Sequence, residues 1–243
     1  MTIIAPNTKI TPEYIDKNII LCCGEDANEL IDSFKKLSFE GTKVHEYRCY
    51  QFWKYLNFSL IWTGIGTGTL EPLIWEILFN PTIKSKINKI ILIGTAGKLP
   101  NSSKKLGDVY IINQAYLGAT AVDDDSIKQP LTPNFLVKSD FSTASIVSTD
   151  FFYGFSERVI SGNYPNQTQR LIQAVNQYFY TTDLVDMEVA QFYHFCNLFD
   201  IEKNLNYIAI KGAANTIGNA KEQIENSSIV IQNAIQKAIA LLG

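Results

Sequence analysis

Arginine is scarce in this chain: among 243 residues only Arg48, Arg158 and Arg170 carry a guanidinium. That group is the natural bidentate partner of phosphates, so few such sites can be built here on arginine. The balance of 21 Lys+Arg against 24 Asp+Glu, a net charge of −3, also argues against nucleic-acid binding, which needs a clustered basic excess. Histidine is rarer still, with only His45 and His194. The four cysteines, Cys22, Cys23, Cys49 and Cys196, show neither C-x-x-C spacing nor a disulfide-dense pattern. No metal site is therefore expected, and the adjacent Cys22 and Cys23 read as buried thiols. No stretch approaches ~18 apolar residues, so no membrane span is expected. Residues 1–6 lack a charged segment leading into a long apolar one, so no signal peptide is expected and the cytoplasm is the expected location.

What is present suits a folded globular chain. Apolar residues make up 46% of the chain and charged residues 19%, which supplies a sizeable core and argues against wholesale disorder. No repeat, linker or low-complexity segment interrupts it, so residues 1–243 are expected to form one domain, with 1–17 as a polar N-terminal arm. Strands are expected at Asn18–Cys23, around Tyr47–Phe52 and Tyr55–Trp62, at Lys89–Ile93, after Gly107, at Thr181–Val185 and at Tyr207–Ile210. Helical patterns follow at 29–34, 70–79, 170–180, 189–198 and 224–242. The fold class is α/β, a twisted mixed sheet flanked by helices.

Several strands run into turns rich in small or polar residues, and in open α/β sheets ligands bind at such strand ends. The first turn, Gly24-Glu25-Asp26-Ala27, places two carboxylates there, although Asp26 is equally a helix N-cap. Thr63-Gly64-Ile65-Gly66-Thr67-Gly68 offers backbone N–H groups at a helix N-terminus. It lacks the G-x-G-x-x-G register, and no clean βαβ unit with a well-placed acid follows it. Gly94-Thr95-Ala96-Gly97 lets a ligand approach the backbone. Asp123-Asp124-Asp125 lies in a polar excursion and reads as solvated. Asp150, Phe151 and Phe152 take a strand into aromatics that suit either a core or a base-stacking face. Asp183-Leu184-Val185-Asp186-Met187-Glu188 gathers carboxylates before a helix, where the dipole favours negative charge. Asp183 and Asp186 read as helix-start residues, while Glu188 reads either so or as an acceptor for a ligand's hydroxyls. His194, six residues on, lies roughly 600° round that helix at ~100° per residue and points elsewhere.

Taken together, Thr63-Gly64-Ile65-Gly66, Gly94-Thr95-Ala96-Gly97, Gly107-Asp108-Val109, Ser148-Thr149-Asp150-Phe151-Phe152 and Val185-Asp186-Met187-Glu188 resemble the purine nucleoside phosphorylase/nucleosidase superfamily. The branch is that of methylthioadenosine/S-adenosylhomocysteine nucleosidase and the hexameric phosphorylases. The resemblance implies cleavage of an N-glycosidic bond in a small-molecule nucleoside by a homo-oligomer, dimer or hexamer. No cofactor is implied, inorganic phosphate entering only in a phosphorylase. By the same resemblance Glu188 binds the ribose hydroxyls, Met187 packs on the sugar, Phe152 lies against the base, Thr95, Ala96 and Gly97 line the sugar and nucleophile position, Asp150 adds to the substrate site, and Glu25 or Asp26 supplies the general base.

Two departures matter. Where the family has an aspartate near the purine N7, this chain has Asn215, and an amide cannot act as a protonating carboxylic acid. The substrate is then a different base, for example a 6-oxopurine, or activity on aminopurines is low or lost. The phosphorylases' phosphate-binding arginines are also missing from the first acidic turn and from before Gly94, leaving Arg48 as the one arginine of the first half. Hydrolysis is favoured, phosphorolysis is second, and a catalytically impaired nucleoside-binding protein is third.

Overall fold

The apolar run before Gly24 is buried at every position and forms strand β1, Asn18–Cys23. Burial on both faces follows from its place in the sheet, flanked in parallel by β4 (Ser59–Thr63) and β5 (Lys89–Lys98). The structure, a computed structural model, describes residues 5–122, 127–136, 141–156, 159–160 and 169–243. Asp123, Asp124, Asp125 and Arg158 lie outside the described residues.

After β1 comes helix α1, Ala27–Lys36. The region expected to hold two strands holds three: β2 (Thr42–Tyr47), β3 (Tyr50–Lys54) and β4. Arg48, at φ 54°, turns β2 back on β3, so the aromatic stretch read as one strand straddles a hairpin. Helices α2 (Thr67–Leu78) and α3 (Pro81–Lys84) then carry the chain across to β5. Because β4 and β5 both run parallel to β1, this is a crossover connection, and the absence of a clean βαβ unit expected from the sequence is corrected here.

Strands β6 (Val109–Leu117) and β7 (Thr143–Ser148), helix α4 (Gln169–Tyr178), strand β8 (Leu184–Asp186), helix α5 (Val189–Phe199), strand β9 (Asn206–Thr216) and helix α6 (Ala220–Leu242) complete the elements used below. Among the described residues nine strands form one sheet, in the order β2-β3-β4-β1-β5-β8-β7-β6-β9. Strand β9 also pairs with β5, so five strands close on themselves and the other four extend as a wing. Parallel and antiparallel pairings mix, as the fold class requires.

The sheet separates two apolar layers. Leu21 and Leu92 face Leu73 and Phe192, from α2 and α5, while Ile20 and Ile91 face Phe34 and Ile235, from α1 and α6. The N-terminal arm belongs to this body rather than hanging from it. Ala5, Ile10 and Ile15 are buried, and the fully buried Glu76 of α2 accepts hydrogen bonds from Asn7 N (2.8 Å), Asn7 Nδ2 (2.9 Å), Thr8 N (2.9 Å) and Thr8 Oγ1 (2.6 Å).

Candidate active site

The ends of β1, β5, β8 and β9 meet the 3-10 turn Phe152–Phe155 around a cavity of about 630 Å³. Glu25, Thr95, Ala96, Asp150, Phe152, Met187, Glu188 and Asn215 all line it, so residues read from five separate stretches converge on one space. Two expected site residues are absent from the lining. Asp26 is exposed and accepts from Asn28 N and Glu29 N, both at 2.9 Å, so it is the N-cap of α1, and of the two candidate bases only Glu25 lines the cavity. Gly97 instead lets the Phe152 ring, Val185 and Ile217 close in; a Cβ there would meet them at 3.2–3.3 Å.

Glu25 is held firmly. Its carbonyl accepts from Trp62 Nε1 at 2.6 Å, and its Oε1 accepts from Thr95 N at 2.5 Å and Thr95 Oγ1 at 2.8 Å. Thr95 thus serves the site by fixing a carboxylate. Asp150 likewise spends its oxygens on the protein, accepting from Ala121 N (2.5 Å) and Thr67 Oγ1 (3.4 Å).

Glu188 is buried at the start of α5, where Oε1 accepts from Gly66 N at 3.3 Å. Gly66 makes this possible with φ 79°, a left-handed conformation that glycine adopts freely, as the N-cap of α2. The Oε2 atom lies 3.3 Å from the Nζ of Lys211, a residue to which the sequence reading gave no role. Lys211 is 1% exposed and also contacts Asp186 Oδ2 at 3.1 Å. Glu25 joins the cluster: a Cβ on Gly94 would stand 3.1 Å from Lys211 Nζ and 3.2 Å from Glu25 Oε1. Three carboxylates therefore surround one buried ammonium.

The electrostatics follow from that count. Burial pushes the Glu188 pKa up to about 7, against the pull of Lys211 and with a further push from Asp186. Burial alone would lower Lys211, but Asp186, Glu188 and Glu25 outweigh it, and its pKa is raised. The ammonium keeps its proton while the carboxylates compete for its charge. Cys23, also in the lining, is held as a neutral thiol by burial and by Glu188, which removes it as a nucleophile.

Asp186 does mark the helix start, accepting from Val189 N, but Asp183 does not: its oxygens bind Ser145 and Ser102 before β8. Asn215 is 4% exposed. Its Nδ2 donates to Thr216 O at 3.0 Å, and its Oδ1 has no partner. Rotating the amide would set Oδ1 against that carbonyl, so the unsatisfied atom is an acceptor; one of the two amide hydrogens is used on Thr216 O and the other remains to donate. Arg48 donates to Asn7 Oδ1 at 3.3 Å, sits over the Tyr47 ring and is not in the lining. Among the described residues no group of three or more metal-ligating side chains assembles.

The family described as the phosphorylase superfamily matches residues 19–243. Among curated proteins none matches the sequence. The chain is similar in fold to the apo form of 5′-methylthioadenosine nucleosidase from Arabidopsis thaliana, at 14% identity and a TM-score of 0.64, over 94% of this chain and 96% of that one. It is equally similar to purine nucleoside phosphorylase from Toxoplasma gondii in complex with immucillin-H, at 14% identity and a TM-score of 0.64, over 100% and 97% of the two chains. The methylthioadenosine/S-adenosylhomocysteine nucleosidase from Colwellia psychrerythraea 34H in complex with adenine gives 14% identity and a TM-score of 0.64, over 94% and 95%. With a match running from β1 through α6 to Gly243, the chain belongs to the phosphorylase superfamily.

Proposed function

We propose that this chain hydrolyses the N-glycosidic bond of a purine-type nucleoside. Glu188 accepts hydrogen bonds from the ribose hydroxyls, Met187 packs on the sugar and Phe152 covers the base. As the C1′–N9 bond breaks, its electron pair leaves with the base and positive charge develops on the ribose, where buried carboxylates stabilise it. A water adds to C1′ and gives its proton to the free Oε2 of Glu25. Asn215 supplies no proton, so the departing base takes its own from solvent.

The single observation that favours water over phosphate is the state of Lys211. It is the one cationic side chain in the lining among the described residues, and two carboxylates already pair with it at 3.1 and 3.3 Å. Phosphate would arrive beside Glu25 with no unpaired cation to receive it. The same Asn215 geometry supports a second reading, a nucleoside-binding protein that has lost catalysis. We further propose a cytoplasmic protein, consistent with its four free thiols, and a homo-oligomer whose second subunit covers the exposed Ile65, Phe151 and Tyr153 at the cavity rim.

Incubation with inosine, adenosine and methylthioadenosine, with and without phosphate, tests these readings by release of free base. Release without phosphate is expected. Release only with phosphate would overturn hydrolysis. A nucleoside that raises the melting temperature without being cleaved would establish the binding protein.

A further inference from the structure

A buried ammonium is costly unless its charge is met, and Lys211 meets it with two unequal partners. Asp186 is fully occupied. Ser148 Oγ donates to its Oδ1 at 2.5 Å, Val189 N reaches both its oxygens at 3.4 and 3.2 Å, and Ala190 N donates to Ser148 Oγ at 2.8 Å. It is bound into the start of α5 and has no freedom to follow a ligand. Glu188 accepts from Gly66 N at Oε1, and from Lys211 and Met187 N at Oε2, each at 3.3 Å. One acceptor position remains on Oε1, a carboxylate offering about four in all.

We propose that Lys211 is a positioning residue: anchored by Asp186, its ammonium keeps the Glu188 side chain in place and favours its anionic form, which accepts from a ligand's hydroxyl. The ligand part of this statement rests on the nucleoside reading above; the coupling of Lys211 to Glu188 does not.

The groups facing Glu188 come from several elements. Cys22 and Cys23 on β1 are kept neutral by burial. Asp186 at the end of β8 and Glu25 after β1 bear like charge, and Lys211 on β9 alone bears the opposite charge. Without Lys211, burial and the neighbouring carboxylates leave Glu188 protonated. A protonated carboxyl turns one acceptor into a donor and presents the wrong pattern to a hydroxyl held as donor.

Carbon-13 NMR of protein labelled at the glutamate carboxyl carbon tests this directly. The signal missing from Glu188→Gln identifies Glu188, and its midpoint in the wild type is expected at about 7. Lys211→Met is expected to raise that midpoint by about 1–3 in pH, Lys211→Arg to return it towards the wild type, and Asp186→Asn to lower it. An unmoved midpoint in folded Lys211→Met overturns the proposal. Should that variant not fold, Lys211→Gln decides, a raised midpoint supporting the proposal and an unmoved one overturning it. Adenosine, followed by melting temperature, reads the ligand part: Lys211→Met should lose its response at pH 7 and regain it at higher pH. A shifted carboxyl midpoint in a protein that responds to no nucleoside upholds the coupling and removes the nucleoside reading.

Discussion

Thr95 grips Glu25 by one oxygen only, its N–H and Oγ1–H both reaching Oε1, at 2.5 and 2.8 Å. The carboxylate is immobilised while its other oxygen takes no hydrogen bond from the described residues. A general base needs both a fixed position and a free lone pair. Glu25→Gln keeps the shape and removes the basicity. Base release should fall by about 10²–10⁴-fold, with nucleosides still raising the melting temperature. An unchanged rate would remove Glu25 from the mechanism.

Glu188 also makes stability depend on pH. Its pKa of about 7 in the folded protein stands above the ordinary 4.5. Across that window the folded protein retains a proton that the unfolded chain has released, so stability falls as pH rises from about 4.5 to about 7. The magnitude is on the order of 3 kcal/mol. Urea unfolding of Glu188→Gln over the same range should give a flatter profile than the wild type. Parallel profiles would show that the raised pKa belongs elsewhere.

Asn215→Asp introduces the missing acid. Its carboxyl would be buried and would face Thr216 O, both of which favour the protonated form. Adenosine cleavage should rise by at least about 10²-fold, the lower end for a positioned acid. No gain, in a folded variant that still binds adenosine, would mean that residue 215 does not meet the base.

Glu76→Ala should loosen the N-terminal arm. It leaves four donors of Asn7 and Thr8 without their acceptor. Hydrogen bonds to a charged group contribute about 1.5–3 kcal/mol each, and they act here as a unit. A loss of roughly 3 kcal/mol or more by urea unfolding is expected, with faster proteolytic cleavage near residues 5–10. Protection equal to the wild type would show that the buried Ile10 and Ile15 hold the arm unaided.

Much of this site was readable from residues 25, 95, 152, 187, 188 and 215, because each sits where a strand gives way to small or polar residues. Lys211 was not. The last strand read as ending at Ile210, which put Lys211 in a polar turn, whereas β9 runs on to Thr216 and buries it. A single lysine in the otherwise uncharged run 207–216 was a usable signal, since a buried lysine needs carboxylate partners. Its partners Asp186 and Glu188 were in view, but a contact between β9 and the end of β8, with β5 between them in the sheet, leaves no local spacing. Glu25 and Asp26 were equivalent in sequence, and only the backbone path separates a cap from a site residue. Gly97 was misplaced because the pairing of β5 with β9 slips between Ala96 and Gly97, a bulge without a sequence mark.

The closure of the sheet by β9 has a consequence in time. Glu25 meets Thr95 across 70 residues, and Gly66 meets Glu188 across 122. Lys211 and Asn215 arrive only with the strand that joins β5 to β6. Such distant contacts form late, after the entropy of closing long loops has been met. A chain that has collapsed without β9 in register holds no partial version of the site, because the ammonium that counters its carboxylates is missing. Nucleoside recognition would then report that folding has finished.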